Sequence, residues 1–62
     1  MNQKDLKKLA KTVAKLEKTL ATTTDEVEKA NIESQIETLC AKVSSFEEVI
    51  ILDELIQDYM MN

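Results

Sequence analysis

Glycine and proline are both missing from this 62-residue chain. Tight turns with a positive φ normally use glycine, and the short turns of β-hairpins depend on it most. A β-rich chain of this length would need several such turns, whereas a helical chain needs few. The absence of both residues therefore predicts an all-α fold with long helices and short loops. The abundant lysine, glutamate, leucine and alanine agree, since all four favour helix.

Histidine is also missing, and Cys40 is the only cysteine. One cysteine cannot form a disulfide within the chain, and without histidine it cannot build a zinc site. No histidine is present to activate the thiol, and no glycine-rich loop to hold phosphate. We therefore expect no catalytic, cofactor-binding or metal-binding residues, no cofactor and no enzymatic activity. The expected role of Cys40 is that of a small buried hydrophobe, with a redox-active or lipidated thiol as the alternative.

Long apolar runs are missing as well. The longest, residues 49–52, has four residues, against about 20 for a membrane span. Residues 1–20 are lysine-rich and lack the apolar core of a signal peptide. We expect no membrane span and an intracellular, cytoplasmic location. A chain this small forms one domain, residues 1–62, and often needs a partner for stability.

The first predicted helix spans residues 4–21 and has two faces. Apolar residues recur at heptad spacing along one face, and lysines recur at the same spacing along the opposite face. The apolar stripe consists of Leu6, Leu9, Val13, Leu16 and Leu20, and the lysine face consists of Lys4, Lys8, Lys11, Lys15 and Lys18. We expect the first face to be buried and the second to be solvated.

A second helix is predicted over residues 24–44. Thr23 followed by Glu26 fits a capping box, in which the two side chains satisfy the first free backbone N–H groups. The apolar residues of this helix mirror those of the first about the threonine loop, so that the summed numbers of paired residues stay nearly constant. The pairs are Leu20 with Val27, Leu16 with Ile32, Val13 with Ile36, Leu9 with Leu39, and Leu6 with Val43. This symmetry predicts an antiparallel helical hairpin.

A third helix is predicted over residues 46–61. Ser45 and Glu48 fit another capping box, and the apolar stripe changes direction near this point. One continuous helix over residues 24–61 is an alternative, and the β propensity of residues 49–52 leaves a strand as a minor alternative. The predicted architecture is a hairpin plus a C-terminal helix, either as a small three-helix bundle or as an oligomeric coiled-coil-like bundle.

The third segment is too apolar for a helix that is buried on one side only. Because excess apolar surface is typical of interfaces, we predict that this segment binds another protein or a second copy of the chain. The predicted partner-binding residues are Phe46, Val49, Ile50, Leu52, Leu55, Ile56, Tyr59 and Met60.

These patterns predict a non-enzymatic protein-interaction module: a small helical subunit, adaptor or chaperone-like cofactor that binds through apolar helix faces. One alternative is a regulatory nucleic-acid-binding dimer that uses the lysine face. The net charge of −4 and the absence of arginine disfavour it. Another alternative is an acidic inhibitor that masks a basic site, since residues 43–62 carry five acids and no base.

Overall fold

The computed structural model describes residues 2–61, which form three helices. They are α1 (Gln3–Thr22), α2 (Glu26–Cys40) and α3 (Phe46–Met61). The prediction of an all-α fold built from a hairpin and a third helix is confirmed. Within residues 2–61 no helix has the length and apolarity needed to cross a membrane.

The start of α2 differs from the prediction. Asp25, not Thr23, caps this helix: its carboxylate accepts a hydrogen bond from the backbone N–H of Val27 at 2.9 Å. Thr23 instead closes α1, where its hydroxyl donates to the carbonyl of Thr19 at 2.7 Å. An aspartate is a strong cap because it also places negative charge at the positive end of the helix dipole.

The end of α2 also differs from the prediction. The helix ends at Cys40, and Ala41 and Lys42 form a turn before the chain reaches Val43. The N–H of Val43 donates to the carbonyl of Cys40 at 3.2 Å, a spacing of three residues that tightens the last turn. The turn brings Val43 into the core, where it is buried. A single long helix over residues 24–61 is therefore wrong, and α3 begins immediately after Ser45.

The core is built mainly between α1 and α3. Its buried residues are Leu6, Leu9, Ala10, Val13 and Ala14 from α1, Val43 from the loop, and Leu52 and Ile56 from α3. The contribution of α2 to this cluster is weaker, because Ile36, Leu39 and Cys40 are only partly buried against it and the buried Ile32 lies outside it. The sequence pattern paired the apolar stripe of α1 with that of α2. In the structure this stripe packs against α3 as well as α2.

The hairpin has the predicted register at one layer and a different one toward the loop, where Leu16 lines a depression with Leu39 and Leu20 lines one with Ile36. Leu9 and Leu39 line the same depression on the surface, as their pairing requires. In the layer next to the loop, Val27 is 68% exposed and does not cover Leu20. Leu20 lies instead beside Ile36 and Met60.

The third helix runs parallel to α1, because the C-terminal ends of both helices meet where Leu20 and Met60 line one depression. The first helix packs against both others, but α2 and α3 make little contact with each other. The molecule is accordingly wider than it is thick, with principal extents of 34 × 24 × 15 Å. This three-helix bundle is therefore open between α2 and α3.

Candidate interaction surface

The eight residues of α3 that were predicted to bind a partner fall into two groups. Leu52 and Ile56 are buried in the core, at 4% and 6% exposure, and Leu55 and Tyr59 pack against it in half-buried positions. The other four are exposed to solvent: Phe46, Val49, Ile50 and Met60. The first group holds α3 on α1, so only the second group is free to contact another molecule.

The exposed group forms a stripe beside the buried one. Phe46 and Ile50 are one turn apart, and Val49 and Met60 are eleven residues, or about three turns, apart, so the members of each pair lie on the same side of the helix. Phe46, at 79% exposure, forms one end of the stripe. Ile51 and Met61 are also exposed apolar residues. The stripe borders the open side of the bundle.

Two depressions lie along the junction of α2 and α3, and we call them together the α2–α3 cleft. The first, of about 210 Å³, is bounded by Cys40 of α2 and by one side of α3. Its residues from α3 are Val49, Ile50, Leu52, Asp53 and Ile56. Its lining is therefore mostly apolar, with one carboxylate.

The second depression of the cleft, of about 500 Å³, lies toward the C-terminal ends of α1 and α3. It is lined by Glu17, Leu20 and Ala21 of α1, Glu33, Ile36 and Glu37 of α2, and Met60 of α3. On α2, Ile36 and Cys40 are one turn apart, and on α3 so are Ile56 and Met60. On both helices, residues one turn apart therefore line the first and the second depression.

The charge along the cleft has one sign. Four carboxylates line it, those of Glu17, Glu33, Glu37 and Asp53, and no lysine lines either depression. These acids come from all three helices, so the negative charge results from the packing and not from one segment. Glu17, Glu33, Glu37 and Asp53 were not among the site residues predicted from the sequence. The only sequence feature that could have indicated this acidic lining is the spacing of Glu33 and Glu37, which places both on one side of α2.

Burial and the acidic lining of the cleft both affect the thiol of Cys40. Partial burial raises the pKa of Cys40, and the negative charges of Glu17 and Asp53 raise it further. The nearby charges disfavour the thiolate by direct repulsion. A raised pKa makes the thiol a poor nucleophile at neutral pH. Cys40 was expected to be a small buried hydrophobe, and the structure leaves it only partly buried.

The lysine face of α1 lies on the side of the helix away from the core. All five of its lysines are exposed, and Lys8, Lys11 and Lys15 line a shallow depression together with Thr12. No apolar side chain lies in that depression. Among residues 2–61, no cluster of three or more cysteine or carboxylate side chains is placed to hold a metal ion.

Comparison with known proteins gives no relative: no family model matches the chain, and no curated protein or solved structure matches it either.

Proposed function

We propose that this chain is a non-enzymatic protein-interaction module, a small helical subunit, adaptor or chaperone-like cofactor that binds its partner through the exposed stripe of α3. The observation that carries the proposal is the position of Val49, Ile50 and Met60. These apolar side chains remain exposed along an open cleft although the chain has already formed its core.

The size of the hydrophobic effect supports the proposal. Full burial of one aliphatic or aromatic side chain contributes about 1.5–3 kcal/mol. A partner that covered Phe46, Val49, Ile50 and Met60 would remove most of the remaining apolar surface of α3 from water. Several exposed apolar side chains along one side of a helix are typical of an interaction site. The proposal places the chain in the reducing cytoplasm, where its single cysteine stays a thiol.

The competing proposal, nucleic-acid binding through the lysine face, has less support. Proteins that bind nucleic acid usually combine lysine with arginine or with aromatic side chains that stack on bases. Neither accompanies Lys8, Lys11 and Lys15 on the outer side of α1. A solvated face explains these lysines without a ligand.

The proposal can be tested by site-specific photo-cross-linking in cells that naturally make the protein. Benzoylphenylalanine replaces Ile50 in one variant and Val27 in a matched control. Val27 is also an exposed aliphatic residue, but it lines neither depression of the cleft. Protein adducts are expected from position 50, and the substitution of Val49 and Met60 by serine should remove them. The mass of the adduct separates a second copy of the chain from another protein.

Two results would overturn the proposal. One is the absence of protein adducts from position 50. The other is an equal yield of adducts from positions 50 and 27, because cross-linking would then reflect random collision.

A further inference from the structure

The α2–α3 cleft has the form of a bundle from which one helix is missing. Both α2 and α3 pack on α1 but make little contact with each other. Helices in a closed bundle lie 8–10 Å apart and cover each other's apolar sides. Here Leu20, Ile36 and Met60 line a depression of about 500 Å³. A fourth helix laid between α2 and α3 would cover these residues.

We propose that the α2–α3 cleft binds one amphipathic helix of another protein, whose apolar stripe is bordered by lysine or arginine residues. This inference rests on the proposed function and specifies the partner. The sixteen residues of α3 form a helix about 24 Å long at 1.5 Å per residue. A bound segment of four to five turns would match that length.

The negative charge of the cleft favours a bound helix that has basic residues on both sides of its apolar stripe. Glu33 and Glu37 lie on the α2 side, Asp53 on the α3 side and Glu17 on α1, without a lysine among the lining residues. A bound helix places the residues next to its apolar stripe close to these carboxylates. Basic residues there are attracted, whereas acidic ones are repelled in a partly desolvated site.

A second copy of the chain is not a suitable occupant of the cleft if it binds with its α3. The residues of α3 include five acids and no base, so every pairing of α3 with its copy brings only like charges together. In an antiparallel pair that matches Phe46 with Met60, the Asp53 residues of the two copies face each other. Like charges at an interface act against association.

A second copy is not a suitable occupant if it binds with its α1 either. The lysine face would satisfy the acids, but it offers lysines and no apolar side chain to fill the cleft. The apolar stripe of α1, which includes Leu6 and Val13, is already buried in the core of its own chain. The remaining helix, α2, carries four acids and one lysine, so none of the three described helices presents an exposed apolar stripe bordered by basic residues.

The test uses synthetic peptide probes and the intact protein. The basic probe is a capped peptide of about 18 residues with a leucine stripe in an alanine background and lysine on both borders of the stripe. The second probe replaces these lysines with glutamate and keeps the leucines. Binding is measured by fluorescence anisotropy at low and at moderate salt, and sedimentation equilibrium gives the stoichiometry.

Two protein variants separate the cleft from the overall charge of the chain. Asp53→Lys reverses a charge that lines the cleft, and Glu54→Lys makes the same change at the next residue, which is exposed outside it. The basic probe should bind the parent protein one to one, and the acidic probe at least about tenfold more weakly. Asp53→Lys should weaken binding of the basic probe severalfold, and Glu54→Lys less than about twofold.

Each alternative result identifies what has failed. Equal binding of the two probes, or equal effects of the two variants, would overturn the preference for a basic helix and leave the proposed function standing. Failure of both probes to bind would overturn the inference as well. If position 50 also gave no cross-links in cells, the proposed function would fall with it.

Discussion

Cys40 lies where groups from all three helices meet. It belongs to α2, and the carboxylates that raise the pKa of its thiol come from α1 and α3. The folded chain therefore holds the thiol proton more tightly than the unfolded chain does. Below the ordinary thiol pKa, Cys40 is protonated in both the folded and the unfolded state. In that range its titration does not make the free energy of unfolding depend on pH. As the pH rises from that value toward the raised pKa of the folded state, the free energy of unfolding falls.

This arrangement predicts the pH profile of Cys40 alkylation. The midpoint of the reaction rate with iodoacetamide should lie at a higher pH for the folded protein than for the same protein in urea, since only the thiolate reacts. Asp53→Asn and Glu17→Gln should each move the midpoint of the folded protein downward, and Glu54→Gln should not. Equal midpoints in the folded and unfolded protein would contradict the placement of Cys40.

The cap of α2 is a second residue-scale feature with a measurable effect. Asp25→Ala removes the acceptor for the N–H of Val27 and should lower the free energy of unfolding by about 0.5–2 kcal/mol. For a chain of this size, the melting temperature should fall by several degrees. Thermal denaturation followed by circular dichroism measures the change.

Thr24→Ala provides the control for Asp25→Ala, since Thr24 is exposed and precedes the cap. It should leave the melting temperature almost unchanged. A larger loss from Thr24→Ala than from Asp25→Ala would contradict the assignment of the cap.

At the scale of elements, α3 has two apolar sides with different roles. Leu52 packs in the core, and Ile50 lies on the rim of the cleft. Leu52→Asp should destabilise the fold by several kcal/mol, because it buries a charge without a partner. Ile50→Asp should change the free energy of unfolding by less than about 0.5 kcal/mol, as surface substitutions usually do. Urea denaturation distinguishes the two results, and similar losses from both variants would contradict this division of α3.

The sequence predicts that α3 has excess apolar surface, but not which part of it the chain itself uses. Val49, Leu52, Ile56 and Tyr59 share one helical stripe. The structure buries Leu52 and Ile56 and leaves Val49 exposed. The pattern within α3 cannot distinguish these residues, because the outcome depends on which helices pack against α3, and α2 makes little contact with it.

The predictions for α1 and α2 succeeded where one periodic pattern decides the structure. The lysine face of α1 is exposed, and Leu6, Leu9 and Val13 of its stripe are buried, as heptad spacing predicts, but Leu16 and Leu20 are only half-buried. The prediction failed at the ends of α2, where Thr23 and Asp25 are both suitable caps and Val43 fits either a helix or a loop that turns inward. The acids of the cleft were missed because they come from three separate segments, and only the packing brings them together.

At the scale of the whole molecule, charge is divided between two sides. Residues 1–20 carry six lysines and two acids, and residues 21–62 carry two lysines and ten acids. The lysine face and the acidic cleft lie on different sides of the bundle. A nucleic acid attracted by the first would be repelled by most of the remaining surface.

We therefore expect no tight binding of RNA or DNA at physiological salt. Fluorescence anisotropy with labelled oligonucleotides measures this directly. Tight binding with a steep dependence on salt, lost when Lys8, Lys11 and Lys15 are changed to glutamate, would contradict the expectation and favour the competing proposal for the lysine face.

The central position of α1 has a consequence for how the chain folds. Its main packing partner, α3, is separated from it in sequence by the whole of α2. A chain that has formed only α1 and α2 still leaves the residues of α1 that face Leu52 and Ile56 exposed to water. The segment that joins α1 to α3, residues 23–45, includes α2. Its two ends must come together, at an entropic cost, before most of the apolar contacts form. Folding of this small protein is therefore governed by a non-local contact, and its rate should be low for an all-helical chain.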